Sequence, residues 1–147
     1  MKKFTFSLEK VLDFKQQTLD VKKNELSMLQ MRMREIEKEI EDLNEKFTAS
    51  NRKMVEEMQR GLSASDISIY KMYFDTLNQK IRKLVEDKRQ LAEVITEKKA
   101  GIIQMNSEIS GLEKLKDKQL GEYLKDRQKI EEQAIEEFVS QARSAAI

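Results

Sequence analysis

Two long heptad seams, separated by one short break, constrain this chain more than any other feature of its sequence. Counting in sevens through Leu26 gives Leu12, Leu19, Leu26, Met33, Ile40, Phe47 and Met54, all apolar. A second series runs Ile67, Phe74, Ile81, Lys88, Ile95, Ile102 and Ile109, apolar except at Lys88. Between them lies Arg60-Gly-Leu-Ser-Ala-Ser-Asp66. A strict seven-residue repeat keeps one stripe of an α-helix turned toward a second helix and winds the pair left-handedly. Each seam must therefore meet another helix, either within the chain or on a second chain.

Composition agrees with long helices and argues against a globule. Ala, Glu, Lys, Leu and Arg supply 69 of the 147 residues, close to the roughly 50% expected of a coiled coil. There is no proline, the residue that removes a donor and clashes with the preceding turn inside a helix. Charged residues reach 37% and aromatic ones only 6%, so the core can only be a thin one along a seam.

Phe4-Thr-Phe-Ser7 reads as the lead-in to the first helix. Ser7 can cap the first turn, Phe6 and Val11 have the spacing of a hydrophobic staple, and Glu9 suits the positive helix terminus. Leu8, Leu12, Leu19, Leu26, Leu29, Met33, Ile36, Ile40, Leu43, Phe47 and Met54 carry the 3–4 spacing onward. The first helix is expected over about residues 7 to 60, roughly 80 Å at 1.5 Å per residue. Gly61 suits a helix-ending left-handed conformation, and Ser63 followed by Asp66 resembles a capping box. The turn is expected at 61–66 and the second helix over about 66 to 141, with fraying after Ala142.

The phase across the break decides how the seams pair. Met54 and Ile67 are thirteen residues apart, not a multiple of seven. A continuous two-chain rod would have to carry Gly61, Ser68 and a phase slip in its core; a hairpin avoids all three. The expected fold is all-α: two long helices in one antiparallel coiled-coil hairpin over residues 1–147, the second helix longer and overhanging. Facing residues should have numbers that sum to about 128, as in any antiparallel pair folded at such a turn, which sets Leu8 near Leu120. Such a hairpin closes its own seam, so seam pairing alone leads to the expectation of a monomer in isolation.

Several classes of function find no footing. Lys and Arg total 28 against 27 Asp and Glu, interleaved, which disfavours the basic stripe of a nucleic-acid binder. No stretch approaches the roughly 18 apolar residues of a membrane span, so no direct membrane insertion is expected. Met1-Lys-Lys-Phe-Thr-Phe6 lacks a signal-peptide core, and a cytoplasmic location is the simplest. With no His and no Cys, and no phosphate-cradling glycine loop, the expectation is a non-enzyme with no cofactor and no metal. Paired helices also offer no concave pocket to exclude water.

Surface left over by the seams carries the functional candidates. Lys15 and Lys22 occupy seam positions on the first helix, and Lys116 and Gln119 do so on the second. Lysine stems can lie on apolar surface with the ammonium in water; alternatively, this end is built weak for a partner to grip. Phe4, Val11, Phe14, Thr18 and Val21 form a second stripe with no counterpart in a two-helix hairpin, and exposed contiguous apolar surface marks interaction sites. Leu120, Leu124, Ile130, Ala134, Ile135 and Phe138 likewise have too few partners in cis. The competing reading folds the N-terminal phenylalanines back onto the overhang. Near the turn, Ile69, Met72 and Tyr73 lie off the seam beside Tyr70 and Phe74, as an interface or as a plug for the coil. Gly101, Gly111 and Gly121 fall off the seam and soften the distal half of the second helix.

The opening Phe4-Thr-Phe-Ser-Leu-Glu-Lys-Val-Leu12, the long charged helix after it, and Gly61-Leu-Ser-Ala-Ser-Asp-Ile67 leading to Tyr70, Tyr73 and Phe74 together resemble the FliJ family of the bacterial flagellar type III export apparatus. The resemblance covers nearly the whole chain. It implies a stalk-like antiparallel coiled coil, similar to the central stalk of rotary ATPases. Its partners would be the export ATPase ring and the membrane export gate, with export chaperones as further candidates, and it would sit peripheral to the cytoplasmic face of the cell membrane. On that resemblance Phe4, Phe6, Val11, Phe14, Leu120, Leu124, Ile130 and Phe138 face the ATPase, and Tyr70, Tyr73, Phe74 and Leu77 face the gate. Lys15 stands where the family often has arginine, which puts a bidentate carboxylate contact there in doubt. A structural coiled-coil dimer or scaffold and a holdase-like export chaperone are the rival readings.

Overall fold

The seams and the break are enough to build the architecture. In the computed structural model, which describes residues 2–146, helix α1 covers Glu9–Arg60 and helix α2 covers Ala64–Ala145. The chain is an all-helical hairpin with the second helix the longer. Its contacts divide into two compact units: a terminal unit, made of residues up to Val21 and from Ile102 onward, and a turn unit, Lys22–Gly101.

The entry into α1 differs from the expected cap. Ser7 is exposed, and a tight turn forms there through Glu9 N–H donating to the Phe6 carbonyl at 3.1 Å. Leu8 then accepts the first helical bond, from Leu12 N–H at 2.9 Å. The turn directs Phe6 inward rather than onto Val11, which stays 43% exposed while Phe6 is 6% exposed.

The break is shorter than expected, and Ser63 is the reason. Gly61 takes φ 97°, a conformation open to glycine because it lacks a Cβ, and its N–H donates to the Met58 carbonyl at 3.2 Å. Ser63 Oγ accepts from Asp66 N–H at 3.1 Å, and the Ser63 carbonyl accepts from Ile67 N–H at 3.1 Å. Ser63 is thus the N-cap and α2 begins at Ala64, two residues before the predicted start. The turn reduces to Gly61–Ser63. At the other end α2 continues to Ala145, four residues beyond the predicted end at 141.

A shorter turn moves the pairing register. Lys15 pairs with Glu108 and Lys116 with Glu9 in the terminal unit; Phe47 meets Phe74 and Lys88 meets Glu37 in the turn unit. Facing numbers sum to about 124 rather than about 128, a shift of roughly one helical turn. The predicted Leu8–Leu120 apposition is therefore corrected. Leu8 packs on a cluster of Phe6, Leu12, Leu19 and Ile109, which Phe4, Ile102, Met105 and Leu112 also cover, while Leu120 is 36% exposed. In the turn unit Ile36 (2%) and Leu77 (3%) are the most buried side chains.

Gly111 and Gly121 lie inside α2, and a Cβ added at either would meet nothing within 4 Å. Each glycine costs a helix interior roughly 1 kcal/mol relative to alanine. Gly111→Ala and Gly121→Ala are each expected to raise the free energy of unfolding by about that amount, measured by urea denaturation. Gly61→Ala should lower it, because its φ lies where side chains are strained.

Candidate functional site

A two-helix coil can do chemistry only at what its seam leaves exposed, so the site is a matter of surface. Among the described residues no group of His, Cys, Asp or Glu is placed to hold a metal. The concavities are open grooves along the helices. One of about 420 Å³ is lined by Glu39, Asp42, Leu43, Lys46, Lys80, Lys83, Leu84 and Asp87. Charges of both signs alternate along it, and Lys83 and Asp87 approach within 3.8 Å.

Two of the polar seam residues, Lys15 and Lys116, are paired within the chain. Lys15 Nζ donates to Glu108 Oε2 at 2.9 Å, and Lys116 Nζ lies 2.8 Å from Glu9 Oε2. Lys98 pairs with Glu25 in the turn unit. The Lys15 hydrogen bond, aided by Gln104, holds the Glu108 carboxyl below its ordinary range, and the Lys98 bond does the same for Glu25. The hydrogen bond to Glu9 stabilises the charged Lys116 and raises its pKa. Lys15, Lys98 and Lys116 thus act as the extended stems of cross-helix pairs.

Near the turn, Tyr70 donates its hydroxyl proton to Glu57 Oε2 at 2.6 Å. The carboxylate favours the protonated phenol, and partial burial adds to the effect, so the Tyr70 pKa is pushed up from 10.0 to about 12. Because the folded value is raised, the stabilisation from this bond is complete below pH 10 and is lost as pH rises toward 12. In an alkaline absorbance titration, Tyr70→Phe should remove the late tyrosinate step near pH 12; a wild-type curve without such a step would contradict the bond. Tyr70 also stacks on Phe74, whose ring lies 4.9 Å from that of Phe47. Tyr70 and Phe74 therefore plug the coil, and Leu77, expected to face a partner, is core at 3% exposure. Tyr73 stays open with Ile69 and Met72, as the off-seam spacing predicts.

The terminal unit splits the predicted stripe in two. Phe4 packs against Tyr123 with ring centroids 5.5 Å apart, and Tyr123 donates its hydroxyl to the Lys2 carbonyl at 2.6 Å. Phe4 and Phe6 thus fold back onto the hairpin core instead of forming part of the open stripe. Val11, Phe14 (68% exposed) and Val21 remain open. Thr18 joins them with its hydroxyl donated to the Phe14 carbonyl at 2.8 Å, so the methyl is what it offers. From Leu124 to Ala146 every described side chain is exposed, including Leu124, Ile130, Ile135, Phe138 (71%) and Val139. Leu115 and Val139 are exposed apolar residues that the sequence reading did not single out. Their signal was present: Leu115 sits one residue before seam position 116, and Val139 follows Ile135 by four.

The surfaces are therefore an apolar stripe and an unpaired amphipathic helix in the terminal unit, and the smaller Ile69–Met72–Tyr73 patch in the turn unit. A protein-family model, the flagellar FliJ protein, matches residues 4–146. Neither the curated proteins nor the solved structures give a match to the chain.

Proposed function

The chain belongs to the flagellar FliJ family, and from that premise we propose that it is a non-enzymatic stalk that binds the export ATPase ring and the membrane export gate to support flagellar type III secretion. Family membership makes it a component of the flagellar export apparatus; the stalk role and the two partners are the finer part of the reading. The observation that carries it is the family match over almost the whole chain, joined to apolar surface that the hairpin itself never covers. The ATPase-facing set is Val11, Phe14, Leu120, Leu124, Ile130 and Phe138, with Phe4 and Phe6 packed on the hairpin core instead. The gate-facing set centres on Tyr73, with Ile69 and Met72 beside it; Tyr70, Phe74 and Leu77 support it from within the coil. No helix among the described residues is long and apolar enough to cross a membrane, which suits attachment to the cytoplasmic face through protein partners. A helix lying against a ring biases its subunits only if it binds their conformations unequally. Purified export ATPase titrated with this chain should therefore hydrolyse ATP faster and saturate. Unchanged hydrolysis across a full titration would count against the stalk and favour a scaffold or a holdase.

A further inference from the structure

We propose that, free of other partners, this chain pairs with a second copy of itself, each copy seating its tail helix on the open apolar flank of the other. The flank and the tail both belong to the terminal unit, and each is described by its own residues. The Lys15–Glu108 pair sets one side of α1 beside one side of α2. On that side, heptad spacing gives Val11, Phe14, Thr18 and Val21 from α1. From α2 it gives Glu108, Gly111, Leu115, Lys118 and Glu122. Val11, Phe14 and Val21 are exposed, Leu115 is 36% exposed, and a Cβ at Gly111 would point into open space. In the observed register Gly111 lies level with Asp13 and Phe14, so the glycine leaves a notch next to an exposed phenyl ring.

The tail has the matching form. From Ile130 its apolar residues fall on one broad arc: Ile130, Ala134, Ile135, Phe138, Val139 and Ala142. All are solvent-exposed. Ile135, Phe138, Ala142 and Ala145 repeat the 3–4–3 spacing of Val11, Phe14, Thr18 and Val21. Two helices with the same spacing interdigitate over their length when they run parallel. Two hairpins meeting open end to open end produce that direction, because the tail of one then runs alongside α1 of the other. One twofold axis generates both seats, so the contact closes on itself.

Charge selects a second copy as the occupant. Beyond Ile130 the tail carries Glu131, Glu132, Glu136 and Glu137 against Arg143 alone. The seat is bordered by Lys10, Lys114 and Lys118, which are exposed and make no ion pair among the described residues. Glu108 on the same side is already paired with Lys15, leaving Glu122 as the one free acid at that spacing. An acidic amphipathic helix thus meets an apolar groove with basic edges. The pairing would cover surfaces assigned above to the ATPase ring, but its test uses the chain alone, so either reading can fail without the other.

Sedimentation equilibrium from about 1 to about 200 µM should show a reversible monomer–dimer equilibrium that weakens as salt rises. Phe14→Asp and Phe138→Asp should each raise the dissociation constant at least about tenfold. Gly111→Gln should do so too while leaving the melting temperature at or above that of the wild type, which separates loss of the seat from loss of fold. The chain has no cysteine, so a chain carrying Phe14→Cys mixed with one carrying Phe138→Cys should form an interchain disulfide on oxidation. Within one chain the two positions lie roughly 40 Å apart along α2, far beyond the reach of a disulfide. A monomer throughout the range would overturn the proposal, as would crosslinks only between like positions or a Gly111→Gln dimer as tight as wild type.

Discussion

Phe14→Asp and Phe138→Asp are each expected to reduce the apparent affinity for the export ATPase by tenfold or more while leaving the helical circular dichroism unchanged. The two rings are 68% and 71% exposed, so neither contributes to the hairpin's own core and aspartate is tolerated at both. Burying a phenylalanine side chain against a partner is worth roughly 1.5–3 kcal/mol, and each 1.4 kcal/mol is about a factor of ten in affinity. Aspartate removes that gain and adds the cost of desolvating a charge. Val85, 51% exposed in the turn unit and outside every surface assigned above, supplies the control: Val85→Asp should stimulate hydrolysis as the wild type does. The measurements are ATP hydrolysis against concentration of the chain, kept below its self-association, and swimming of cells carrying each variant. Equal behaviour of all three aspartate variants would remove the terminal unit from the ATPase contact.

Legibility from sequence tracked how far each feature depends on local chemistry. The seams at Leu12, Leu19, Ile36, Leu77 and Ile109 could be read because a heptad leaves a helix only one way to bury its stripe, and those five are among the most buried residues. The hairpin followed from the phase slip at Gly61. What the spacing could not set was where α2 begins. Ser63 and Asp66 are both competent caps, and the choice of Ser63 moved every facing pair by about one helical turn. Phe14 and Val21 were legible as exposed because they fall off the seam, and Ile130 and Phe138 because they lie on the overhang beyond the reach of α1. Phe4 and Phe6 were not, because a non-helical segment has no period, and their burial depends on the three-dimensional meeting with Tyr123 and Ile109. The roles of Tyr70 and Leu77 beyond the seam were not legible, because aromatic and apolar residues clustered near a turn serve as plug and as interface with the same composition. Here the plug residues keep the seam period, whereas Ile69, Met72 and Tyr73 do not.

The register can be decided by three alanines. Leu12 is 3% exposed and packs in the Phe6–Leu19–Ile109 cluster, with Leu112 against it. Leu12→Ala should therefore destabilise by about 2–5 kcal/mol, the range for truncating a buried leucine and leaving a cavity that the neighbours only partly fill. That is a large part of the roughly 5–15 kcal/mol that holds a typical domain, so the urea midpoint should fall far. Amide exchange should quicken first within residues 9–21 and 102–123, where this cluster is the main apolar contact. Leu112→Ala should follow the same pattern, with a smaller loss in keeping with its partial burial. Leu120→Ala should cost well under half as much as Leu12→Ala, since Leu120 is already 36% exposed. Had Ser63 not capped α2, Leu120 would lie opposite Leu8 and its truncation would open the seam instead. A Leu120→Ala variant that loses as much as Leu12→Ala would show that the helices pair one turn away from where the Ser63 cap sets them.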